Sequence, residues 1–194
     1  MLRSLVIAGL AAGLCFGCGN KGPVPDAPSP KRPKERGGED VAKKKADCKP
    51  TDASAIPGAI PEAQRRKVES LNLAAEASTM LGTAAKLRKQ KRETLIEQSV
   101  EKLNTALAAD PYNVEATYTL AGVQAMVGRT QCTVNLLARL LELRKLDSYK
   151  AAVKERLDKL EGRGNFAGRL DPMFAKVRGK NLYRQLARKF TDGK

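Results

Sequence analysis

The segment from Asn104 to Gly122, Asn-Thr-Ala-Leu-Ala-Ala-Asp-Pro-Tyr-Asn-Val-Glu-Ala-Thr-Tyr-Thr-Leu-Ala-Gly, constrains this chain more than any other. It contains a helix end, a hard stop and a helix start. Val100, Leu103 and Leu107 fall at i, i+3 and i+7, one face of a helix. Ala106 sits beside that stripe and leaves room for a neighbouring backbone. Pro111 cannot continue the helix, because it lacks the amide and clashes with the preceding turn. Asn113 is placed to cap the next helix by accepting from its free amides. Ala116, Leu120, Val123 and Val127 then form a second stripe, Gly128 ends it, and Val134, Leu137 and Leu141 begin a third. Helices of about fifteen residues joined by such short turns pack antiparallel.

Ala106-Leu107, Asp110-Pro111, Asn113, Ala116, Leu120-Ala121 and Gly128 fall at the spacing of the tetratricopeptide repeat, a helix–turn–helix unit of 34 residues. The stretch resembles that family. It departs from it at Thr117 and Gln124, where larger residues are common, and at Lys145, where the repeat would close on proline. A preceding repeat needs an insertion around Lys86 to Glu93. The resemblance implies a helical array with a concave groove formed by the first helix of each pair, in which a partner segment lies. It places Asn113, Thr117, Tyr118 and Gln124 along that groove, where basic neighbours favour an acidic partner.

Aromatic residues make up 4% of the chain and there is no Trp, so alanine and leucine carry the apolar content. That suits closely approaching helices rather than a β-sandwich. The absence of histidine removes Ser-His-Asp and Cys-His machinery and imidazole metal sites. Formal net charge is +15, which attracts polyanions without saying which.

Arg3 and the apolar run Leu5 to Leu14 have the form of a secretory signal, residues 1–17, too short to span a bilayer. The run ends at Cys15-Phe-Gly-Cys18-Gly. This looks like the lipobox of lipoproteins of a Gram-negative bacterial envelope, with Cys18 as the lipid acceptor because the small Gly17 precedes it. Gly19 resembles the sorting position of lipoproteins sent to the outer membrane, facing the periplasm. A plain cleaved signal or an uncleaved anchor is the alternative. Residues 18–61 hold eight of the ten prolines and many lysines, and bury too little to order themselves, giving a disordered tether.

The helical domain spans 62–194. A first helix is expected from Pro61, with Val68, Leu71, Ala75, Ser78 and Gly82 as its packing face. The charged run Lys86 to Glu93 is either a helix extension or a loop. Asp147-Ser148 can cap a helix carrying Tyr149, Val153, Leu157 and Leu160, ended by Gly162. Asp171-Pro172 starts a short helix with Phe174 and Val177 inward. Asn181 caps a last helix with Leu182, Leu186 and Phe190 on one face. These tail helices close the open end of the array.

Once a signal is removed, Cys48 and Cys132 remain for the domain. In an oxidising compartment they can pair; otherwise Cys48 is an exposed linker thiol and Cys132 a core residue. Acid pairs such as Asp110 and Glu115 sit at helix starts, where carboxylates are stabilised anyway. There is no phosphate loop, no cofactor motif and no catalytic pair. The chain is therefore expected to be an all-α, tetratricopeptide-like lipoprotein, not an enzyme, binding another envelope protein and no nucleic acid. Two other readings stay open: a cationic lipoprotein holding an anionic envelope polymer, and, if the signal is misread, a basic helical nucleic-acid binder.

Overall fold

A computed structural model describes residues 47–49 and 60–191; the expected signal, Cys18 and most of the expected tether lie outside that range. The described chain is all-helical. Its helices are α1 (Lys67–Ala84), α2 (Lys89–Ala109), α3 (Val114–Met126), α4 (Thr130–Arg144), α5 (Asp147–Glu161) and α6 (Asn181–Arg188), with 3-10 turns at Glu62–Gln64, Gly164–Phe166 and Pro172–Phe174.

The stops and starts follow local chemistry. α2 ends at Ala109 ahead of Pro111, and Asn113 caps α3, its Oδ1 accepting from the Ala116 amide at 2.9 Å. Gly128 and Gly162 end α3 and α5 with φ of 84° and 63°, a region that favours glycine. Asp171 caps the turn at Pro172–Phe174 by accepting from the Met173 amide. Asn181 is the first residue of α6, not its cap, and Lys180 occupies the cap position. The charged run is divided between a turn and the first residues of α2, so it extends that helix to 21 residues.

The packing face of α1 differs from the expected one. Val68 and Leu71 are 72% and 57% exposed, whereas Ser70, Ala74, Ala77, Leu81 and Ala84 are buried. The cause is hydrogen bonding between close backbones. Ser70 Oγ donates to the Ala106 carbonyl at 2.7 Å, while Ser99 Oγ donates to the Leu95 carbonyl of its own helix at 2.7 Å and packs 3.4 Å from the Ala77 carbonyl. The Ser70 cross-link and the close approach at Ser99 hold α1 against α2 and require small residues on the shared face. The α2 stripe shifts likewise, to Ser99, Leu103, Ala106 and Ala109.

Two apolar clusters form. One joins α1, α2 and α3; the other joins α3, α4, α5 and the C-terminal segment, and Leu136 and Met173 touch both. α3 is buried on nearly every side, from Val114 to Ala125. The tail closes the second cluster with Phe174, Val177, Tyr183, Leu186 and Phe190, while Leu182 stays exposed. Arg144 ties down the end of α6 through the Phe190 and Lys189 carbonyls.

Ala106 and Ala121 are fully buried at helix contacts. Ala106→Leu and Ala121→Leu should each lower the unfolding free energy by about 1–3 kcal/mol through overpacking. Ala108→Leu, at an exposed position, should change it by less than about 0.5 kcal/mol. Ala109 is buried and belongs with the sensitive pair. Denaturant titration of the variants checks the order.

Candidate functional site

The turn Asp110–Asn113 is the junction on which the site is built. Asn113 Nδ2 donates to Ser70 Oγ at 2.7 Å, joining the starts of α3 and α1. Arg139, a buried cation on α4, donates to the Pro111 carbonyl, and burial lowers the pKa of its guanidinium. Arg65 enters from the segment before α1. Its Nε pairs with Asp110 Oδ1 at 2.9 Å, its Nη2 donates to the Tyr149 hydroxyl, and its guanidinium lies 4.4 Å from the centre of the Tyr112 ring. Tyr112 and Tyr149 stack at 5.9 Å. Burial works against the charge on Arg65, but Tyr149 and Asp110 outweigh it and hold the guanidinium above its ordinary pKa.

These contacts bring the starts of α1, α3 and α5 together around an open groove of about 650 Å³. Leu71, Leu146 and Ala152 supply apolar lining beside the two tyrosines. Its charges are Arg65, Lys67 and Arg156 against Glu62, Asp110, Glu115 and Glu155. Lys67 pairs with Glu62, and Arg156 Nε with Glu115 at 2.8 Å. The expected basic surround is absent from this lining, because each cation meets a carboxylate.

Of the four residues expected along the groove, only Asn113 lines it. Thr117 is fully buried and donates to the Asn113 carbonyl at 2.8 Å. Tyr118 is buried, and its hydroxyl donates to Asp171 at 2.8 Å; burial, joined by the Asp171 carboxylate, pushes that phenol up. Gln124 is buried and accepts from Arg129. The C-terminal segment covers this part of α3: Met173 lies so close to Gly122 that an added Cβ would stand 2.6 Å from its Cε. The charge-paired Arg65 and the tyrosines Tyr112 and Tyr149 are the groove residues that helical periodicity missed. Tyr112, inside the Pro-x-Asn turn, was the available signal.

A second feature lies at the start of α4. The Cys48 and Cys132 sulfurs are bonded, with Cα atoms 4.8 Å apart across 84 residues. Thr130, Gln131 and Cys132 open a helix whose cap residue, Arg129, makes no side-chain cap bond. Asp47 supplies the cap from across the fold, accepting from the Gln131 amide at 2.9 Å and the Cys132 amide at 3.1 Å. Asn135 Nδ2 donates to the Lys49 carbonyl at 2.9 Å. Asp47 and the two sulfurs are also the metal-capable grouping among the described residues, but the disulfide consumes both thiolates.

Burial would raise the Asp47 pKa, yet the amides of Gln131, Cys132 and Cys48 and the charge of Arg129 lower it below its ordinary value. A carboxylate depressed in the folded state contributes stability that is present above the unfolded pKa, about 3.9, and lost as pH falls through the folded value. Asp47→Asn should therefore cost stability at neutral pH and flatten the acid limb below about pH 4. Asp47→Ala should cost about 1 kcal/mol, as for other helix caps. Chemical denaturation at pH 7 and pH 3 measures both.

No family model, no curated protein and no solved structure matches this chain.

Proposed function

We propose that this chain is a lipid-anchored, tetratricopeptide-like scaffold of the bacterial envelope that binds a segment of another protein in the groove over the starts of α1, α3 and α5. The observation that carries the reading is that groove: an open cleft of about 650 Å³ set on helix starts, with two stacked tyrosines beside exposed leucines. Tyrosine gives large amphipathic contact area at low entropy cost, which suits a binding surface. The lining charges are paired with one another. Recognition then rests on shape and on apolar and aromatic contact, and an acidic partner has no special claim.

The anchor is carried by Gly17-Cys18 and by residues 1–17; no helix among the described residues is long and apolar enough to cross a membrane. Mass measurement of the mature N-terminal peptide tests it directly: Cys18 bearing diacylglycerol and an acyl chain is expected, and an unmodified Cys18 sinks the anchor.

For the groove, a photo-crosslinking residue placed at Leu71 or Ala152 in cells should trap the same partner, and Tyr149→Ala should abolish the product. The same probe at Gln185, exposed on α6, should trap none. Equal trapping from Gln185, or products indifferent to Tyr149, would mean that the groove is not the binding surface.

A further inference from the structure

Because Arg65 touches both Asp110 and Tyr149, α1, α3 and α5 begin at the same edge of the array. They run in one direction, and the connections after them gather at the opposite edge. Each connection presents one large apolar side chain to water. Leu87 is 36% exposed, Val127 47% and Leu170 54%. Around Leu87 stand Lys86, Arg88, Lys91 and Arg92, all exposed; Arg129 lies just beyond Val127-Gly128, and Arg169 precedes Leu170. Residues 85–92, 127–131 and 162–170 together carry eight cations and no carboxylate; Asp158 reaches in to Arg163 at 4.0 Å and Asp47 sits at the start of α4 near Arg129, which leaves the edge with a clear positive excess. On the groove edge the balance is the reverse, with Arg65, Lys67 and Arg156 against Glu62, Asp110, Glu115 and Glu155.

The disulfide adds an independent observation. Cys132 lies in the first turn of α4, which starts at the cationic edge, so the bond holds residues 47–49 there. The disulfide-held segment, positive charge and exposed apolar side chains thus coincide on one edge.

We propose that this edge docks on an anionic phospholipid surface, its cations on the headgroup phosphates and Leu87, Val127 and Leu170 in the interfacial layer. The groove then opens away from the bilayer. A soluble polyanion would satisfy the cations equally well but offers the three apolar side chains nothing to enter; a bilayer takes both. The biological setting rests on the anchored reading above, whereas the docking itself does not need the lipid.

The test uses the chain from residue 18 onward with Cys18→Ser, disulfide intact, and vesicles of phosphatidylglycerol and phosphatidylcholine against phosphatidylcholine alone. Co-sedimentation is expected with the anionic vesicles only, weakening as salt rises. Arg88→Glu with Arg92→Glu should lower partitioning by about tenfold or more. Leu87→Ser, Val127→Ser and Leu170→Ser together should lower it severalfold while leaving binding to dextran sulfate unchanged. Arg184→Glu with Arg188→Glu, on the outer face of α6, should leave vesicle binding within about twofold. Vesicle binding indifferent to the three serines would assign the edge to soluble polyanions and overturn the proposal, as would an equal loss from the α6 reversal. Since no lipid is attached in this experiment, an unmodified Cys18 in the native protein would remove the anchor without touching the result.

Discussion

Reducing the Cys48–Cys132 bond should lower the unfolding free energy by about 4–5 kcal/mol, the chain-entropy value for a closed loop of this length. The melting temperature should fall by more than about 10 °C. The bond closes a loop of 84 residues in sequence, and most of its contribution comes from restricting the unfolded chain. Asp47 to Lys49 are held against α4 by contacts that include the two amides accepted by Asp47, the Asn135 amide on the Lys49 carbonyl and the disulfide. With the bond open, the segment loses its covalent tie to α4, and each time Asp47 leaves, the amides of Gln131 and Cys132 lose their cap. Cys48→Ser is the cleaner variant, because Cys132 is buried and a serine there would add a buried hydroxyl. It should reproduce the effect of reductant, and reductant should then add nothing. A melting curve insensitive to reductant, or a Cys48 peptide recovered as free thiol from protein prepared without reductant, would remove this bond from the molecule.

The backbone punctuation of the fold was legible in the sequence, because it is short-range chemistry. Pro111 as stop, Asn113 as cap, the two glycine ends and the Asp171 cap each depend on a few adjacent residues. Side-chain facing was less legible. In α1, Val68 and Leu71 outweigh Ser70 and Ala74 on any apolar scale, yet the serine and alanine are buried because hydrogen bonds to α2 demand close approach. In α3 almost every residue is enclosed, so no single stripe marks an inside. Thr117 and Tyr118 lie on a helix that the repeat resemblance turns toward a groove. The segment around Asp171 and Met173 covers that face from 50 residues away. The cap from Asp47 is likewise invisible to local pattern. Arg65, Arg66 and Lys67 are three adjacent cations of which Arg66 and Lys67 are exposed; contacts with Asp110 and Tyr149, distant in sequence, separate Arg65 from its neighbours.

Arg65→Ala should cost about 3 kcal/mol, more than any other single change at the groove. The Arg65 and Asp110 side chains are 9% and 8% exposed, so removing the cation leaves a carboxylate that is already out of water. That carboxylate also holds the turn, accepting from the Tyr112 amide at 3.1 Å. Arg65 further spans from α3 to α5 through the Tyr149 hydroxyl and lies against the Tyr112 ring. Arg65→Lys should recover little, because an ammonium lacks the planar fork that meets Asp110 and Tyr149 at once. Tyr149→Phe removes one hydroxyl and keeps the stacked ring, and should cost about 1 kcal/mol. Arg65→Ala combined with Asp110→Asn should cost clearly less than the sum of the two single changes, since the second change neutralises the charge that the first stranded. If the two costs simply add, or if Arg65→Ala melts like the parent protein, the starts of α1, α3 and α5 are held together by apolar packing, and the groove does not depend on this ion pair for its shape.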